Sequence, residues 1–202
     1  GTTGDELDEA MTYDYLGNIL TLTRGGTGAG SLNYTAYNGS QLNTVTGYSP
    51  RSYSYDGNGN ATSNGSGKTI AYNLLNLSRK VTNSSSTELA NYTYDAAGNK
   101  LSNGSTSSGA NDGLWEYLGD VVYHNSAIAF VNTEEGRAVP VGGIYNYEYN
   151  LKDHLGNTRV SIDQYSSAVR VIQEDEYYSF GLRKPTGGYN YSNNNRYLYN
   201  GK

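Results

Sequence analysis

Apolar and polar side chains alternate along most of this chain with a period of two. Asn91-Tyr92-Thr93-Tyr94 alternates, Lys100-Leu101-Ser102 alternates, and Tyr145, Tyr147 and Tyr149 alternate with polar residues into Leu151. That period marks strands with one face half buried, and Tyr and Thr favour strands. The runs are short and bounded by turn residues. Val121-Val122-Tyr123-His124 and Ala127-Ile128-Ala129-Phe130-Val131 flank Asn125-Ser126. Thr158-Arg159-Val160-Ser161-Ile162-Asp163 and Ala168-Val169-Arg170-Val171-Ile172-Gln173 flank a turn at Tyr165-Ser166-Ser167. Asn38-Gly39 separates Tyr34-Thr35-Ala36-Tyr37 from Gln41-Leu42. Strand-like runs on either side of such pairs read as hairpins. From Thr12 onward the pattern predicts strands and turns. The acidic start, with Asp5, Glu6, Asp8 and Glu9, is expected to add one frayed helical turn within residues 1–11.

One turn is written three times. The hexapeptide Y-D-x-x-G-N occurs as Tyr13-Asp14-Tyr15-Leu16-Gly17-Asn18, as Tyr55-Asp56-Gly57-Asn58-Gly59-Asn60, and as Tyr94-Asp95-Ala96-Ala97-Gly98-Asn99. A fourth copy, Asp153-His154-Leu155-Gly156-Asn157, lacks the Tyr. Asp bonds its own backbone two residues on, and Gly supplies the positive φ of a tight reversal. Asn tolerates that region too. A motif repeated about every 40 residues is architectural, since a catalytic constellation is normally built once. Tyr72-Asn73-Leu74-Leu75-Asn76-Leu77 reads as a matching half-unit after the second copy, so each unit holds roughly two hairpins.

Composition narrows the core. Among 202 residues there are 22 Tyr and 26 Gly, but only 1 Trp and 2 Phe, and hydrophobic residues are 36 %. Tyr buries a ring while keeping its hydroxyl wet, which predicts sheet faces covered by Tyr over a thin interior. Residues 1–101 form a stretch of Y-D-repeat hairpins, residues 102–113 a Gly/Ser-rich loop, and residues 114–202 a further β-meander, expected to continue the same sheet. The net charge of −5 comes without a basic run, which argues against nucleic acid as a partner. No apolar stretch is long enough to span a membrane. With no Cys, disulfides and thiolate zinc sites are excluded, in keeping with an exported bacterial protein.

The motifs together resemble one family. The Y-D-x-x-G-N copies are similar to the YD repeats of rearrangement-hotspot (RHS) proteins. Three later segments, in order, resemble the RHS repeat-associated core as it is written in Bacteroidetes-like bacteria. They are Asp153-His154-Leu155-Gly156-Asn157-Thr158-Arg159-Val160, Tyr177-Tyr178-Ser179-Phe180-Gly181-Leu182 and Arg196-Tyr197-Leu198-Tyr199-Asn200-Gly201-Lys202. The resemblance runs from about Tyr13 to the last residue. It implies a segment of a large secreted or surface-associated β-protein whose spiralling sheet encloses a C-terminal toxin or other cargo, with related shells in insecticidal toxin complexes and animal teneurins. Many members close the core by an aspartate-dependent self-cleavage. No D-P-x-G motif is present here, so no cleavage residue is carried over. The segment reads as a piece of a longer protein, too short to enclose anything alone.

Other chemistry is weighed against simpler roles. Asp56-Gly57-Asn58-Gly59-Asn60 imitates the first positions of a calcium loop, but Ala61 and Gly67 stand where Gly and Glu are required. His124 and His154 lack the further ligands a zinc site needs. No G-x-S-x-G context supports a serine triad. Glu134-Glu135 and Glu174-Asp175-Glu176 offer carboxylate pairs for glycoside hydrolysis, yet solvated faces or edge-protecting charges explain them. Trp115, with Tyr145, Tyr147 and Tyr149, forms a candidate set of ligand-facing aromatics for sugar or peptide.

The expectation is thus all-β, a strip of consecutive antiparallel hairpins, with a β-propeller as the alternative. The expected role is a non-catalytic structural segment needing no cofactor or metal. Its structural residues are Tyr13, Asp14, Gly17, Asn18, Tyr55, Asp56, Gly59, Asn60, Tyr94, Asp95, Gly98, Asn99, Asp153, Gly156 and Asn157. Expected partners are a C-terminal toxin, effector or other protein cargo of the parent chain, and a second copy joined through edge strands. The alternatives are a surface adhesion module that binds glycan or protein, and a hydrolase.

Overall fold

The computed structural model describes residues 8–25, 30–105, 113–178, 180–184 and 198–199. All the elements among them are β-strands, and each pairs antiparallel with a neighbour. The chain divides into two units, Gly1–Asp112 and Gly113–Lys202.

Unit 1 begins with a five-stranded sheet in chain order: β1 (Glu9–Tyr13), β2 (Ile19–Arg24), β3 (Gly30–Asn38), β4 (Gln41–Gly47) and β5 (Arg51–Ser52). The ladder is interrupted at Tyr53. Strands β6 (Ser54–Tyr55), β7 (Ala61–Ser63), β8 (Lys68–Tyr72), β9 (Ser78–Asn83), β10 (Glu88–Tyr94) and β11 (Lys100–Ser105) then follow in order. Two expectations are corrected here. Glu9, Ala10 and Met11 are strand, not helical turn, because β1 pairs along β2 and Arg24 Nε holds Glu9 Oε1 at 2.6 Å. Residues 1–7 lie outside the described residues. The segment read as a loop from 102 stays in β11 to Ser105, where Tyr92, Asn91 and Ala90 of β10 still offer ladder partners. Residues 106–112 lie outside the described residues.

Unit 2 runs β12 (Gly113–Leu118), β13 (Val121–His124), β14 (Ala127–Thr133), β15 (Gly136–Val141), β16 (Ile144–Lys152), β17 (Thr158–Tyr165) and β18 (Ala168–Glu174), each beside the next. A separate pair, β19 (Glu176–Tyr177) and β20 (Arg183–Lys184), follows. Successive hairpins laid side by side are the meander, not four-stranded blades. The turns fall where sequence chemistry puts them: Asn125 and Ser126 both have positive φ, as do Ser166 and Ser167, which suits the right-handed twist of the flanking strands.

The interior is thin in unit 1, where Leu22 and Val45 are the buried hydrophobics among the described residues. Unit 2 has a compact cluster of Trp115, Val122 and Phe130, backed by Tyr117, Ala129 and Val139. Farther along unit 2 most buried positions are polar, namely Arg137, Glu148, Asn157, Thr158, Ser161, Asp163, Gln173 and Asp175, beside the apolar Ala138, Ile172 and Tyr178. Tyr was expected to cover sheet faces over a thin interior; on β16 the tyrosines lie on the exposed face.

Candidate functional site

The repeated motif builds one turn to one geometry. The Asp N–H donates to the carbonyl of the Asn four residues on, at 2.9 Å in Asp14–Asn18, Asp56–Asn60, Asp95–Asn99 and Asp153–Asn157. Each Asp Oδ1 accepts the backbone N–H groups two and four residues later, at 2.8–3.0 Å. Each Oδ2 accepts the Asn side-chain amide at 2.8–3.0 Å. The glycines between them, Gly17, Gly59, Gly98 and Gly156, have φ from 83° to 87°. Donors surround each carboxylate, the Asn amide foremost, and hold it below the ordinary Asp range. Both oxygens of Asp56 are thereby committed to the turn, which accounts for the calcium-loop imitation.

Two further turns share this geometry, one of them in the half-unit at Tyr72-Asn73-Leu74-Leu75-Asn76-Leu77. Asn73 makes the same bonds to Leu75 and Leu77, with Asn76 at φ 59° in the glycine position. Asn83 does so with Ser85 and Thr87, with Ser86 at φ 61°. An Asn side-chain carbonyl replaces the carboxylate, and Asn or Ser replaces Gly, so the turn at Asn83 is not visible to a search for Asp and Gly. Strand alternation places the turns of Asp14, Asp56, Asn73 and Asp95 on one rim of unit 1. Neighbouring turns touch along that rim: Asn18 Nδ2 donates to Gly39 O at 3.2 Å, and Asn58 and Asn60 donate to Asn76 Oδ1 at 3.0 and 2.9 Å.

The tyrosine before a turn has its own task. Tyr37 donates its hydroxyl to Ile19 O at 2.7 Å, Tyr55 to Leu42 O at 2.6 Å, Tyr72 to Ala61 O at 2.8 Å, and Tyr94 to Ser78 O at 3.0 Å. Within unit 2, Tyr177 donates to Thr158 O at 2.8 Å. The acceptor is the first strand residue past the preceding turn on that rim, or in the case of Leu42 the second. Each Tyr is thus a clamp from one hairpin to the one before it. Tyr55 reaches from β6 back to β4 across the interruption at Tyr53. Burial pushes the hydroxyls of Tyr37, Tyr55 and Tyr94 up, and that of Tyr177 to about 12. Tyr13, in the first copy, instead donates to Met11 Sδ at 3.2 Å. In the fourth copy Lys152 stands where the Tyr would be.

The two faces of unit 2 differ sharply. On one, a row of charges crosses four strands: Arg137 faces Glu148, Glu148 faces Asp163, and Asp163 faces Arg170. Arg137 Nε binds Glu148 Oε2 at 2.6 Å, and Arg170 grips both oxygens of Asp163. Ser161 donates to Asn150 at 2.8 Å in the adjoining row. On the other face, Tyr145, Tyr147 and Tyr149 are 45 %, 55 % and 46 % exposed. Trp115 does not join them. It is 5 % exposed and stacks on His124, with ring centroids 4.1 Å apart. Its parity on β12 directs it into the cluster with Val122 and Phe130, so its reading as a ligand-facing aromatic is corrected. His154 is exposed in its turn, Glu134 and Glu135 are exposed in theirs, and Asp175 is buried against Arg183 and Gln173.

No family model matches the sequence, and no curated protein matches it. Solved structures do. The crystal structure of TcdB2–TccC3–TEV aligns with a TM-score of 0.59 at 14 % identity, that of TcdB2–TccC3–Cdc42 with 0.58 at 13 %, and that of TcdB2–TccC3 with 0.54 at 14 %. Each alignment covers 96 % of this chain and 13 % of the other, so the chain spans about an eighth of those chains. At this identity the likeness is one of fold, and that fold is RHS-like.

Proposed function

We propose that this chain is a non-catalytic wall segment of a secreted or cell-surface bacterial YD-repeat protein, of the kind that encloses or presents a C-terminal toxin, effector or other protein partner. The observation that carries the reading is the series of tyrosine clamps. They spend the repeated side chains on joining hairpin to hairpin, which is what a wall requires and a reaction centre does not. The RHS-like fold supports the same reading, as does the commitment of all four repeat aspartates to turns. The ordered core-like segments favour a Bacteroidetes-like origin.

The test begins with the coding region on both sides of this segment. More Y-D-x-x-G-N copies upstream and a compositionally distinct domain downstream are expected. In the purified parent protein, that downstream domain should survive protease at concentrations that digest it alone. Equal digestion of the enclosed and isolated domain would sink the proposal.

The exposed row of Tyr145, Tyr147 and Tyr149 favours one second reading, an adhesion surface for glycan or protein. A glycan array with hits lost on Tyr147→Ala would support it, and an array without hits would dismiss the glycan form.

A further inference from the structure

Glu88 and Asn91 lie three residues apart on one strand, where regular alternation would send them to opposite faces. The register of β10 against β9 reverses that. Glu88 faces Thr82, Ala90 faces Val81, and Asn91 faces Lys80, so one extra residue bulges between Glu88 and Ala90. The bulge re-aims the side chains to one side. There Lys80 Nζ lies 2.7 Å from Glu88 Oε2, and the Asn91 Nδ2 amide donates to Glu88 Oε1 at 2.5 Å. Asn91 Oδ1 accepts the Gly104 N–H at 3.2 Å. A Cβ on Gly104 would meet the Asn91 amide at 2.9–3.2 Å, so any other residue there would push that amide from its present position. One carboxylate thus bridges a nucleophilic amine and an electrophilic amide, and a backbone N–H lies on the amide's carbonyl oxygen.

We propose that this triad is a self-processing site that closes an isopeptide bond between Lys80 Nζ and Asn91 Cγ, stapling β9 to β10. Glu88 is ionised, because bonds from Lys80 and Asn91 hold its carboxyl below the usual range. It takes a proton from Nζ, and the freed lone pair attacks Asn91 Cγ. The carbonyl electron pair moves to Oδ1, where the Gly104 N–H meets the developing charge. Glu88 passes the proton to Nδ2, the Cγ–Nδ2 bond breaks with its electrons on nitrogen, and ammonia leaves. The remaining surplus Nζ proton goes through Glu88 to the ammonia. One ammonium and one primary amide become one secondary amide and one ammonium ion, with no oxidant or cofactor. Lys80 is 41 % and Glu88 33 % exposed, so water favours the charged pair and the reaction is slow. Its rate rises with pH.

The experiment is intact-mass and tryptic-peptide mass spectrometry of the purified chain during prolonged incubation at neutral and alkaline pH. The expected result is a growing species lighter by one ammonia, with the Lys80 and Asn91 peptides recovered as one branched peptide. It should be abolished by Lys80→Arg and by Glu88→Gln, both of which preserve the size of the site. Separate Lys80 and Asn91 peptides throughout would overturn the proposal. So would an ammonia loss that persists in Lys80→Arg, which would instead come from cyclisation at Asn-Gly pairs such as Asn58-Gly59.

Discussion

A clamp tyrosine places one hydroxyl on one carbonyl, and its energy is that of a single partly buried hydrogen bond. Tyr94→Phe removes the bond to Ser78 O and keeps the ring. A loss of about 0.5–1.5 kcal/mol in urea denaturation is expected, with the m-value unchanged. The turn residues separate shape from charge. Asp95→Asn keeps the acceptor that Asn73 and Asn83 use toward the backbone but loses the bond from the Asn99 amide, so it should lower Tm in a thermal scan, and by less than Asp95→Ala does. Gly98 has φ 87°, and Gly98→Ala is expected to cost about 1–2 kcal/mol by the same measurement. The four repeat aspartates also set an acid limb. Their folded pKa values are depressed, so their contribution is complete above the unfolded value of about 3.9 and is lost as pH falls through the lower folded values. Replacing Asp14, Asp56, Asp95 and Asp153 together by Asn should flatten the fall of Tm below pH 4 or so.

Strand β16 shows what pairing between elements adds. Its outward residues are tyrosines and its inward ones are Asn146, Glu148 and Asn150, with Glu148 9 % exposed. Burying Glu148 is tolerable because β15 sets Arg137 directly opposite it. Arg137→Ala should therefore destabilise by about 3–5 kcal/mol, since it leaves a buried carboxylate without its cation. The double replacement Arg137→Met with Glu148→Leu should recover most of that loss. If the double variant is as unstable as the single one in chemical denaturation, the charge row contributes more than a paired burial.

Across the whole molecule, half-buried tyrosine hydroxyls are expected to weigh on alkaline stability. Tyr37, Tyr55, Tyr94 and Tyr177 are all raised in the folded state, Tyr177 to about 12. The unfolded chain releases these protons near pH 10 and the folded chain later, so between those values the native state binds more protons and stability falls as pH rises. Full stability below about pH 10, with a decline toward pH 12, is expected in circular dichroism. Tyr177→Phe should shift that decline upward.

The period of two, the Y-D-x-x-G-N copies and the paired turn residues were enough to specify an all-β meander and the positions of its turns. Those are local properties: a strand alternates because of its pleat, and a tight turn needs particular φ values and nearby acceptors. The Asn73 turn lies in the half-unit that Tyr72-Asn73-Leu74-Leu75-Asn76-Leu77 marks, whereas the Asn83 turn escaped notice because Asn and Ser there supply the bonds and conformation of Asp and Gly. What local pattern could not decide was which face of each strand is covered. Ile144-Tyr145-Asn146-Tyr147-Glu148-Tyr149 alternates in either orientation, and a partner on the next strand made the polar face the buried one. Trp115 went inside for the same reason, and the bulge before Ala90 brought Lys80, Glu88 and Asn91 together against their spacing. The clamps likewise join residues 11–19 positions apart. Register between strands is a long-range property, so only the folded sheet fixes it.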